Sequence, residues 1–83
     1  MTTIHLEVPD EILWSLKEAP EDVAREIRMA AAAKLYEIGK LSSGRAAQLA
    51  GVPRVVFLQA LSRYGVATFD LTRDEIAEDL ANA

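Results

Sequence analysis

The chain has no cysteine and a single histidine, His5. Without cysteine there is no disulfide framework, no thiolate metal site and no thiol nucleophile, so a metal centre would have to be assembled from carboxylates. Ser42 and Ser43 have no histidine base close in sequence, which argues against a serine–histidine triad. His5 reads as a polar position of a strand. No stretch approaches the roughly 18 apolar residues of a membrane span, and the N-terminal MTTIHLEVPDE lacks the basic-then-apolar order of a secretory signal. The expectation is a cytoplasmic protein that is not an enzyme and uses no cofactor. Aromatic residues are scarce too, five in 83, and a single small domain of this length buries only about two-thirds of its unfolded surface. Self-association would add burial that an alanine-rich core does not supply.

The net charge of −4 argues against nucleic acid only if it is evenly spread, and it is not. Residues 1–22 hold six acids and one base, residues 23–69 seven bases and two acids, and residues 70–83 five acids and one base. A basic middle lies between acidic ends. Phosphate binding depends on charge within a Debye length of about 8–10 Å, so the middle can attract DNA although the total is negative.

Local signals predict a mainly α fold with a short N-terminal β-strand and about five helices. Residues 3–8 alternate polar and apolar with the period of a strand. Residues 10–17 read as a short helix with acids in its first turn. Pro20 opens a helix to about residue 38, where Val23, Ile27, Ala31, Leu35 and Ile38 recur every three or four positions, and Gly39 ends it. Ser42 or Ser43 caps a helix to Ala50, Gly51 makes a turn, and Pro53 begins a helix to Tyr64 that Gly65 terminates. After an extended stretch over 66–71, Thr72 with Glu75 forms a capping box and Leu71 with Ile76 a hydrophobic staple for a last helix.

A lone strand must pair, either with residues 66–70 or with its equivalent in a second chain. The strand–helix–helix order of residues 3–38 resembles a ribbon-helix-helix dimer, and Ile4, Leu6, Val8 and Trp14 are the dimerisation candidates. The outward strand residues would be Thr3, His5 and Glu7. Glu7 would oppose phosphates, so the strand is read as joining two chains and not as reading DNA.

Residues 44–61, GRAAQLAGVPRVVFLQAL, have the spacing of a helix-turn-helix. Ala47 falls at the crossing, Gly51 and Val52 at the turn, and Phe57 at the anchor. With Phe57, Leu61 and Tyr64 inward, Val55, Gln59 and Ser62 face outward. Arg54 and Gln59 can reach base edges, Val55 can touch a thymine methyl, and Arg45 with the amides near Ser43 can hold phosphate. Arg63 and Lys40 add backbone contacts. Val55, Val56 and Leu58 also make this helix apolar on more than one side, which suits a protein interface instead.

The acids of the last helix, Asp74, Glu75, Glu78 and Asp79, are explained by capping and solvation. Phe69, Leu71, Ile76 and Leu80 form an apolar stripe beside them, able to pack on its own domain or to dock in a groove of a basic partner.

The run KLYEIGKLSSGRAAQLAGVPRVVFLQALSRYGV, with an N-terminal VPDEIL and a C-terminal DEIAEDL, resembles a family of small uncharacterised prokaryotic helix-turn-helix proteins regarded as candidate antitoxins. The resemblance implies a protein encoded beside a toxin, often a PIN-type ribonuclease, which it neutralises while repressing their shared operon. The matching positions are Gly44, Ala46, Ala47, Leu49, Ala50 and Gly51 in the frame, Phe57 as anchor and Arg54 as a DNA contact. Pro53 stands where relatives tend to have serine, and Val55 and Val56 where they tend to be polar or charged. The sequence reading is thus a homodimeric regulator that binds double-stranded DNA through its centre and a protein toxin through its acidic end. A protein-binding adaptor using the same helices without DNA is the alternative.

Overall fold

The computed structural model describes residues 1–67, and within them the chain is helical: α1 (Asp10–Leu16), α2 (Pro20–Glu37), α3 (Ser43–Ala50), α4 (Arg54–Ala60) and a closing 3₁₀ turn (Leu61–Tyr64). Helix α2 starts at a proline, whose missing N–H costs nothing at a first position, and carries Glu21 and Asp22 in its positive-ended first turn. Helix α3 is capped by Ser42, whose Oγ accepts from the Arg45 backbone N–H at 3.2 Å. It stops at Gly51, which sits at φ +76° and donates to the Ala47 carbonyl at 2.9 Å, while Val52 N–H reaches the same carbonyl at 3.1 Å.

The core is built mostly from methyl groups. Ala32 and Ala33 of α2 face Ala46, Ala47 and Ala50 of α3, and Phe57, Leu61 and Val66 complete the cluster. Phe57 has no solvent exposure and meets the Tyr36 ring edge-on, with centroids 5.9 Å apart. Burying a side chain of this size is worth roughly 1.5–3 kcal/mol, and in an alanine-lined core Phe57 is the main large contributor. Helix α3 packs against both α2 and α4. Helix α1 lies against α2 but buries no residue of its own.

The expected N-terminal strand is not present: among the described residues there is no strand at all, and residues 1–9 are irregular. The ribbon-helix-helix-like reading of residues 3–38 falls with it. The physical reason is that the described residues offer no second edge. Val66, where the intrachain partner was expected, is instead buried, and its N–H is spent on the Leu61 carbonyl at 3.1 Å. Period-two alternation shows that a segment could present two faces, but hydrogen-bonding partners decide whether it becomes a strand. The four helices expected within the described residues are all present, the fourth ending at Ala60 with a 3₁₀ turn over Leu61–Tyr64 completing the expected span. The last helix expected from Thr72 lies outside the described residues.

Candidate nucleic-acid interface

The α3–turn–α4 corner is positioned by its turn glycine and by α2. Arg28 of α2 donates from Nε to the Leu49 carbonyl at 2.8 Å, putting a cation on the negative end of α3. Its guanidinium lies over Gly51, where a Cβ would come within 3.0 Å of Nη2. A glycine is therefore required at that place twice over, for its φ and for the close approach. Sequence reading did not single out Arg28, because its role depends on a contact 21 residues away.

Residues 38–67, which span the corner, contain Lys40, Arg45, Arg54 and Arg63 and no carboxylate. Lys40 and Arg45 are solvent-exposed. Arg45 donates from Nη1 to Gln48 Oε1 at 3.0 Å, so an exposed glutamine one turn away orients its guanidinium. Gln48 was missed in the sequence, where only its spacing of three from Arg45 could have revealed it.

On α4 the outward face is as the helical period places it. Val55 is 61% exposed and Val56 41%, and Gln59 and Ser62 are exposed, while Phe57 and Leu61 are sealed. One assigned side chain, Arg54, is engaged inside the corner. Ser43 has no exposure, and its Oγ accepts from Arg54 Nε at 2.9 Å. Arg54 is consequently half-buried, linking the starts of the two helices.

Arg63 is exposed but lines a cleft with Glu18, Asp22, Glu26, Met29, Tyr64 and Arg25, the last paired with Asp22 at 2.7 Å. There the Glu18 carboxyl is pushed above its ordinary value by a hydrogen bond shared with Glu26, with lesser contributions from desolvation and the charges of Glu26 and Asp22. A phosphate at Arg63 would approach these carboxylates. Within residues 38–67 Lys40 and Arg45 have no carboxylate, and Glu37, the nearest in sequence, accepts from Lys34 Nζ at 2.8 Å.

Ile4, Leu6 and Val8 line an apolar groove with Leu13, Val23 and Ile27, which Arg28 also borders. Ile4 and Leu6 remain 80% and 68% exposed, and Trp14 is 70% exposed outside that groove. The structure thus brings three of the four dimerisation candidates together. The toxin-binding candidates Phe69, Leu71, Ile76 and Leu80 lie outside the described residues. Among the described residues, no helix is long and apolar enough to cross a membrane, and no group of three or more histidine, aspartate or glutamate side chains is placed to hold a metal.

Sequence and structure together define a small helical protein organised around a tight two-helix corner whose own stretch, residues 38–67, carries no carboxylate. The chain belongs to the uncharacterised protein family UPF0175, whose model matches residues 1–83. It is similar to a UPF0175 protein of Aeropyrum pernix, 34% identical over 77 residues that cover 93% of this chain and 81% of that protein. No solved structure matches it.

Proposed function

We propose that the protein is an antitoxin-like transcriptional regulator: a homodimer that binds double-stranded DNA through the α3–α4 corner, neutralises a partner toxin and represses its own operon. The observation that carries this reading is the acid-free stretch over residues 38–67, whose four bases include the exposed Lys40 and Arg45, on the corner where α4 exposes Val55 and Gln59 and the 3₁₀ turn exposes Ser62. Sequence-independent affinity for a duplex comes from neutralising phosphates, and local charge, not the total of −4, governs it. The apolar groove at Ile4, Leu6 and Val8 supports a dimer, because exposed apolar surface of this kind is normally covered by a partner. A dimer would present two copies of α4, matched by a site with two half-sites. The toxin, which the sequence resemblance suggests to be a PIN-type ribonuclease, would be engaged by residues 70–83. The reading carries with it a cytoplasmic location, since a regulator and its operator share a compartment, and it requires no cofactor and no catalysis.

The test is binding of a labelled duplex from the region upstream of its own gene, measured over a range of salt. Affinity should fall with a log–log slope of about −0.9 for each phosphate neutralised. Absent or salt-insensitive binding overturns the DNA reading and favours the second one, an adaptor that docks protein through Val55 and Val56, whose exposure is the observation in its favour. Truncation at residue 69 should abolish neutralisation of the toxin while sparing DNA binding.

A further inference from the structure

Resting on the DNA-binding reading, we infer that α4 selects its site mainly by the C5-methyl groups of thymine, with hydrogen bonds to base edges secondary. The outward face of α4 leads with two apolar side chains, Val55 at 61% and Val56 at 41% exposure. The polar group that would ordinarily lead base reading, the Arg54 guanidinium, is half-buried and bonded through Nε to the sealed Ser43 hydroxyl. Gln59, one turn beyond Val55, is the exposed amide on this face.

The chemistry of the groove determines what such a face accepts. Major-groove base edges present acceptors and donors, and one apolar group, the thymine methyl. A valine pressed against the amino group of cytosine or adenine strips its water and returns no hydrogen bond, which is costly. Against a thymine methyl the same valine buries apolar surface and strands nothing. Valine also has one strongly preferred rotamer in a helix, so its two methyls are placed with little freedom left to lose. Gln59 can pair bidentately with an adenine. The ligand is therefore duplex DNA whose half-site carries thymines under Val55 and Val56, with an adenine within reach of Gln59, held by phosphate contacts from Lys40 and Arg45.

The full-length protein is used to enrich a randomised duplex library, and the enriched duplex is then synthesised with deoxyuridine replacing thymine one position at a time. Deoxyuridine lacks only the methyl. One or two positions should weaken about fourfold on losing it, the worth of one buried methyl-sized group, and the Val55→Ala, Val56→Ala double variant should lose that sensitivity while keeping its salt slope. Both valines are exposed, so the variant is expected to fold, and an unchanged helical circular dichroism spectrum checks this. Salt-dependent binding that tolerates deoxyuridine everywhere overturns the methyl assignment and leaves DNA binding standing. A deoxyuridine effect that survives in the double variant overturns the assignment to these valines. No binding to any duplex overturns the DNA reading itself.

Discussion

Arg54 Nε donates to Ser43 Oγ at 2.9 Å, joining the first residue of α4 to the first residue of α3 across the turn. Because the hydroxyl has no solvent exposure, Ser43→Ala sets the guanidinium N–H against a methyl with no water at hand. The expected cost is about 1–3 kcal/mol of stability, measured by urea unfolding. A loss below about 0.5 kcal/mol, the range of ordinary surface changes, would show that the tie contributes little.

Gly51→Ala should also destabilise, by about 1–2 kcal/mol for an L-residue in the left-handed region, plus the displacement of Arg28 from 3.0 Å. The two parts separate in a double-mutant cycle. With Arg28→Ala already in place, the alanine should cost less but still cost something. An identical penalty in both backgrounds would mean that the Arg28 contact is immaterial.

Trp14 is the single tryptophan and is 70% exposed, so its emission reports on association directly. If two chains meet over the apolar N-terminal surface, emission should shift to the blue as concentration rises, and Trp14→Glu should hold the chain monomeric in sedimentation. A red, concentration-independent spectrum alongside a sedimenting dimer would move the interface elsewhere.

Glu18 titrates above its ordinary value through its hydrogen bond with Glu26. A carboxyl raised in the folded state adds stability below its unfolded pKa and loses it as pH rises through the folded one. Glu18→Gln keeps a neutral donor at every pH. Its melting temperature should match wild type in acid and exceed it at neutral pH, with the gap opening just above the ordinary carboxylate range. A gap that does not change with pH would rule this pair out as its source.

Lys40→Ala and Arg45→Ala should each lower the salt slope of DNA binding by about 1 and weaken all duplexes alike. Arg63→Ala should matter less, since Glu18, Asp22 and Glu26 share its cleft. Equal slopes for all three variants would mean that DNA meets Arg63 as readily as the other two.

The helices were legible because their signals are local. Pro20, Ser42, Gly39, Gly51 and Gly65 mark starts and stops through their own backbone preferences, and the three glycines all adopt positive φ. The period of 3.6 placed Phe57 inward and Val55, Gln59 and Ser62 outward. What was not legible depended on partners distant in sequence. Alternation at residues 3–8 could not reveal whether a pairing edge exists, and the expected strand is the one that is not seen. The approach of Arg54 to Ser43 spans 11 residues. The carboxylates that share the Arg63 cleft lie 37 or more residues from it in sequence.

Five alanines of α2 and α3, Ala32, Ala33, Ala46, Ala47 and Ala50, are buried in one cluster, and interiors are packed closely enough that added volume is felt. Enlarging any of them would wedge the pair apart and swing α4 with it, so the aim of the outward face is governed by side chains that never touch solvent or ligand. A hunt for variants with altered target preference could begin at these interior positions, where one added carbon acts as a lever on a distant surface.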